Sequence, residues 1–304
     1  MSKLKEFLKR SQTIVFVYEI YKYQKHKYLF NKDPRLAAEE DYMNDFKQKL
    51  DWENPKNIVE KNFWMQFNTD TSIWTRCADK YLVREYVEEK GCGDTLNELY
   101  GKWDDANDID FSSLPDQFVL KTNHGCNSVM VIKDKSKLNF KKTIKKFNKW
   151  LNSKYGIIAG QMHYLKIQPC VIAEKYLEDS SPNGTLIDYK MFCFNGEVES
   201  ICIHSGRNLE THDFSVEVYD SNWKEIPVSL RNSGNRFPRP KSLDKMIETC
   251  KKLGTGIPFV RIDFYEIDGK VIFGEMTFTP GSGFLTYEYY DYLGTKLDIK
   301  KLKS

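Results

Sequence analysis

Two periodicities divide the chain. Across residues 34–62 apolar positions recur at helical spacing, with a break near Asn54 and Pro55. Residues 75–89 continue that spacing through Tyr81, Leu82, Tyr86 and Val87, which predicts one helix stopping at Gly91-Cys92-Gly93. Acidic, turn-rich sequence follows over 104–110. The period then shortens to two. Phe118 to Lys121 and Val129 to Ile132 read as strands around a polar loop, and 167–177 reads as another, with Pro169 marking an edge or bulge. Hairpins are expected over 188–204, turning at Asn195-Gly196, and over 260–277, turning near Asp268-Gly269. A further strand is expected at 214–219. Helices are expected over 138–151 and from a Ser242 cap to Lys252. Helices first, then strands with helices inserted, give an α+β class with antiparallel hairpins.

The length of 304 residues fits about two domains, or one large domain with subdomains. No apolar run approaches the ~18 residues of a membrane helix. The formal net charge is only +3. The basic residues are mostly Lys, whereas Arg is the usual reader of phosphates and guanine edges, so no nucleic-acid partner is expected. Seven cysteines, widely spaced and without a C-x-x-C, argue against zinc and disulfides and for buried, reduced thiols in a cytoplasmic protein. Residues 1–32 carry eight basic and two acidic side chains. A solvated amphipathic helix is the simplest reading of this segment. The alternative is peripheral contact with anionic lipid, at the inner membrane face, or with an acidic polymer.

Walker, dinucleotide-binding, zincin and nucleophile-elbow motifs are absent, and the five histidines lack ligand spacing. Two constellations remain. Alternation places Phe118 and Leu120 on one face of a strand, with Val119 and Lys121 on the other. Lys121 leads into Thr122, Asn123, Gly125, Asn127 and Ser128, a loop able to cradle a triphosphate. An outward-facing surface lysine accounts for it as well. The second constellation is the last hairpin, where Arg261, Asp263, Glu275 and Thr277 alternate with apolar residues. Buried acids need a reason. Oxygen ligation of Mg²⁺ is one, and a structural Arg261–Glu275 pair is the other. A strict two-residue turn at Asp268-Gly269 would pair Asp263 with Gly274 and put Glu275 on the opposite face. A shared face therefore predicts a three-residue loop, 267–269, with a G1 bulge.

Lys121, Glu174-Lys175-Tyr176-Leu177, Lys190, Arg261-x-Asp263 and Glu275-x-Thr277 follow one another in an order that resembles the ATP-grasp superfamily. The wording of 79–86, 118–125, 188–190 and 275–283 is most similar to its TupA-like branch of surface-polysaccharide synthesis. The resemblance implies an ATP-grasp fold with a helical N-terminal region (1–74) and two α+β lobes (75–177 and 178–304) clamping ATP. It implies Lys80 and Lys121 at the phosphates, and Glu174, Lys175, Tyr176 and Leu177 at adenine. Lys190 would reach the γ-phosphate, and Asp179 the ribose. Asp263, Glu275 and Thr277 would hold Mg²⁺, and Arg261 would stabilise charge at the reacting groups. Thr277 departs from the Asn of many superfamily members. The implied reaction joins a carboxylate, on a small molecule or saccharide such as a uronic acid, to an amine through an acyl phosphate. A phosphotransferase, or a non-catalytic nucleotide-binding module, are the alternatives on the same fold.

Overall fold

The computed structural model describes residues 12–178, 186–206 and 214–302. Two antiparallel sheets frame it. The first has the order β1-β4-β2-β3 and is built from β1 (Leu99–Trp103), β2 (Phe118–Thr122), β3 (Val129–Ile132) and β4 (Val171–Lys175). The second has the order β7-β6-β5-β8-β9, from β5 (Asp188–Phe194), β6 (Glu197–Ser205), β7 (Ser215–Tyr219), β8 (Val260–Ile267) and β9 (Lys270–Thr277).

Alternation along β2 fixes the orientation of the first sheet. Phe118 and Leu120 are fully buried with Val171, Ala173 and Phe147, the last from the helix Phe140–Leu151. Val119 and Lys121 face the other way, as the period of two requires. Val119 pairs with Glu174 and Lys121 with Ile172, so Lys121 and Glu174 are diagonal neighbours on that free face. In the second sheet Met191, Ile201, Ile262 and Phe264 join Leu243, Met246, Cys250 and Leu253 of the helix Leu243–Gly254 in one core. The same core takes in Trp64, Trp74 and Val87 from the N-terminal helices. Six of the seven cysteines are buried, Cys126 is exposed, and all are free thiols.

Five elements differ from expectation. The helix expected over 75–89 is two, Ser72–Ala78 and Val83–Glu89. Asp79 breaks it, because its carboxylate accepts the N–H groups of Tyr81 and Leu82, a local bond that competes with the helical ladder. The strand expected from 167 begins only at Val171, after Pro169. Ser242 stands before its helix but does not cap it, since its hydroxyl donates to Glu266. The edge strand β1 and the helix Tyr287–Thr295 were not foreshadowed by periodicity. Among the described residues no helix is long and apolar enough to cross a membrane. Four of the eight basic residues of the N-terminal segment, and Asp179, lie outside the described residues.

Candidate active site

The hairpin β8–β9 turns in two residues. Asp268 and Gly269 have φ of 51° and 76°, both left-handed, as a type I′ turn requires, and Ile267 pairs with Lys270. The expected three-residue loop is therefore wrong. The shared face is reached by another route. A bulge at Gly274 shifts the ladder by one, so that Asp263 pairs with Glu275 and Arg261 with Thr277. A Cβ on Gly274 would lie 3.0 Å from the Asp263 carbonyl oxygen, which explains the glycine.

All four side chains meet. Arg261 grips Asp263 with two hydrogen bonds, Nε to Oδ1 and Nη2 to Oδ2, each 2.7 Å. Its Nη2 also donates to Glu275 Oε1 and Thr277 Oγ1, both at 3.0 Å. The Thr277 hydroxyl in turn donates to Glu275 Oε1 at 3.2 Å. From β5, Lys190 reaches Asp263 at 2.6 Å and Asp188 at 2.9 Å. Lys80 approaches Glu275 at 3.6 Å and donates to the Gly125 carbonyl at 2.7 Å, tying the polar loop to the hairpin. Three cations thus face three carboxylates, with Asp263 only 2% exposed.

The electrostatics follow from that closeness. Burial raises the Glu275 carboxyl, but Lys80, Arg261 and Lys190 outweigh it and hold the group well below the usual carboxylate range. Burial disfavours the Arg261 charge, and Asp263 with Glu275 more than restores it. Burial also pushes Asp263 upward, against the pull of Arg261 and Lys190. Such a cluster stays charged only because every ion has a partner.

On the first sheet, Lys121 lies 2.7 Å from Glu174, which Arg84 also approaches at 4.0 Å. The loop after Lys121 is pinned at both ends. Thr122 and Ser128 share a hydroxyl hydrogen bond at 2.5 Å. The Asn123 amide donates to Asp79 and to the Gln168 carbonyl, while its oxygen accepts the Cys170 N–H. Asp79 thereby fixes both the loop and the turn that carries Lys80. His124 turns inward and meets the Ser153 carbonyl at 3.2 Å, and burial lowers its pKa. Beyond Glu174, the Lys175 N–H donates to Glu98 O and its carbonyl accepts from Asn97. Tyr176 lies under the Lys133 ammonium, and both line a cavity of about 730 Å³ beside this crossover. Leu177 follows in irregular chain.

Lys190, Arg261, Asp263, Glu275, Thr277 and Lys80 are thus brought together. Lys121 and Glu174 form a second pair, Lys175 ends β4, and Tyr176 and Leu177 follow it. Asp188, Arg84 and Asp79 were missed as site residues. Asp188 had one sequence signal, its place two residues before Lys190 on a strand of period two.

A Mg²⁺ ion suits this donor set. The hairpin offers two carboxylates and a hydroxyl, and Mg²⁺ usually takes one or two carboxylates together with substrate phosphates and water. Among the described residues no group of three or more His, Cys, Asp or Glu is arranged to hold a metal ion. A charge-balanced cluster also holds no surplus positive charge for a polyanionic nucleotide, so divalent cations would have to supply it.

No protein of curated function matches the sequence. Among solved structures, D-alanine–D-alanine ligase from Bacillus anthracis complexed with ATP is 15% identical with a TM-score of 0.47, covering 75% of this chain and 66% of that one. Phosphoribosylamine–glycine ligase from Thermotoga maritima is 10% identical with a TM-score of 0.45, covering 69% and 50%. The ATP-grasp ligase PsnB, complexed with minimal precursor, Mg and ADP, is 10% identical with a TM-score of 0.39, covering 79% and 66%. The chain therefore spans two thirds or less of the length of these proteins. Residues 60–298, most of the chain, match the family described as TupA-like ATPgrasp. The chain belongs to the TupA-like ATP-grasp family, and its α+β architecture is an ATP-grasp fold.

Proposed function

We propose that this protein is an ATP-dependent carboxylate–amine ligase that works with Mg²⁺. One observation carries the reading. Arg261, Asp263, Glu275, Thr277, Lys190 and Lys80 form one partnered charge cluster beside the polar loop of Lys121. Phosphoryl transfer asks for positioning and charge more than for a covalent nucleophile.

In this mechanism a substrate carboxylate oxygen attacks the γ-phosphorus, the bond to the ADP oxygen breaks, and an acyl phosphate forms. An amine nitrogen then attacks the acyl carbon, phosphate departs, and the amine loses a proton to leave an amide. Lys80 and Lys121 exchange their carboxylate partners for phosphate oxygens. Lys190 reaches the γ-phosphate, and Arg261 offsets charge on the reacting groups. Glu174, Lys175, Tyr176 and Leu177 border the adenine. Asp263, Glu275 and Thr277 would hold Mg²⁺, which would supply Lewis-acid charge at the phosphates.

The family's association with surface polysaccharide supports a uronic acid as the carboxylate, on a polysaccharide or its precursor, and an amino acid or small amine as its partner. Dependence on ATP supports a cytoplasmic site of action. The test is ADP and phosphate release with Mg²⁺ across uronate sugars and amines. A ligase releases both, and needs both substrates for full turnover. ADP without phosphate, from a stable phosphorylated sugar, would instead make it a phosphotransferase. Nucleotide binding without turnover on any pair would overturn catalysis.

A further inference from the structure

A second cavity, of about 410 Å³, lies between the N-terminal helices and the loop that follows β9. Glu40, Asp41, Asp45 and Asn62 line it from the helices, and Thr279 from the loop. Two of its basic neighbours are already engaged. Lys25 pairs with Glu40 at 2.6 Å and His26 with Asp41 at 3.0 Å. Asp45 accepts the Ser282 hydroxyl at 2.5 Å. No ion pair joins Asp45 to a basic side chain among the described residues.

A separate observation is that buried polar atoms on the cavity wall lack partners among the described residues. Asn62 and Thr279 are 4% and 9% exposed, and Asn62 Oδ1 and Thr279 Oγ1 find no hydrogen-bond partner among the described residues. Buried polar atoms are nearly always satisfied, so two such atoms on one cavity wall mark a place where something else supplies the partner. Acceptors, and a carboxylate with no basic partner among the described residues, call for donors and positive charge. A primary ammonium has three donors and no acceptor. Thr279 stands two residues beyond Thr277, so their Cα atoms are at most about 7 Å apart. One wall residue of the cavity therefore lies within about 7 Å, Cα to Cα, of Thr277.

Building on the ligase reading, we propose that this cavity binds the amine substrate as a primary ammonium, with Asp45, Asn62 and Thr279 as its acceptors. The amine it suits carries no carboxylate beside the nitrogen, because a carboxylate would meet Asp45, which has no basic partner among the described residues. An alkylamine or diamine meets this description better than an α-amino acid does.

Calorimetric titration of the full chain with 1,4-diaminobutane, ethanolamine, glycine and 1-butanol tests this without turnover. The two amines should bind, glycine at least about tenfold more weakly, and butanol not at all. Thr279→Val and Asp45→Asn should each weaken diamine binding about tenfold or more, while a parallel ATP titration reports an intact fold. Equal binding of glycine, unchanged affinity in both variants, or no amine heat into the millimolar range would overturn the proposal. Amine binding without ATP turnover would instead overturn the ligase reading and leave the cavity assignment standing.

Discussion

Replacing Arg261 with methionine tests whether the charge cluster is a tightly partnered ionic unit. The change removes two 2.7 Å hydrogen bonds to Asp263 and the contacts to Glu275 and Thr277. It leaves Asp263, 2% exposed, with Lys190 as its remaining cation. Removing one partner from a buried ion pair costs about 3–5 kcal/mol. A whole domain is stable by only about 5–15 kcal/mol, so the loss is large.

The penalty should also depend on pH. Burial raises Asp263, and Arg261 is the largest influence holding it down. Without Arg261 its folded pKa rises further above the unfolded value. A group raised on folding stabilises below the unfolded pKa and loses that contribution as pH rises through the folded one. The variant should therefore lose more stability at pH 8 than at pH 5. Glu275, held low in the wild type, works oppositely, because its contribution is present above the unfolded carboxylate pKa and is lost only in stronger acid. It does not mask the effect between pH 5 and 8. Urea unfolding at both pH values gives the two differences. A loss below about 1 kcal/mol at pH 8, or a larger loss at pH 5 than at pH 8, would refute a tightly partnered buried cluster. Arg261→Lys keeps the charge without the fork and should fall between the two proteins.

Asp263→Asn and Glu275→Gln should each lower Mg²⁺-dependent ADP release at least about a hundredfold while circular dichroism stays native; near-normal turnover in either would remove it from the metal site. Lys121→Ala should weaken ATP about ten- to a hundredfold by calorimetry, since it deletes a charge-assisted contact. Unchanged affinity would leave Lys121 as the structural partner of Glu174. Gly274→Val should cost about 1–3 kcal/mol in urea unfolding through crowding at the Asp263 carbonyl, and most of the activity with it. A fully active Gly274→Val would show that the bulge does not set the site.

What could be read in advance was local. The alternation of Phe118, Val119, Leu120 and Lys121 needs no distant partner, and it correctly set Lys121 apart from the core. The Asn195-Gly196 turn is equally local, and both residues take the left-handed φ that the pair suggests. What failed depended on distant contacts or on a single side chain. The strand β1 is five residues long, partly exposed, and interrupted by an irregularity near Gly101; it exists because β4 pairs with it. The helix over 75–89 was broken by one carboxylate, whose bonds to Tyr81 and Leu82 leave no trace in a hydrophobic pattern. The Glu174–Lys121 pair is a diagonal contact between strands far apart in sequence, so only the register reveals it.

The hairpin β8–β9 separates these cases most clearly. Two residues at i and i+2 share a face on one strand, but the turn and any bulge decide which face the partner strand presents. Asp268-Gly269 is a strong two-residue turn signal, and it held. In an unbulged hairpin, Glu275 beside Asp263 demands a longer loop. A second local signal resolves the conflict, for a glycine inside a strand marks a bulge or a close backbone approach. Gly274 lies one position before Glu275, where one extra residue restores the shared face. Turn and bulge together determine the register without reference to function, and Arg261, Asp263, Glu275 and Thr277 converge as a consequence of two glycines.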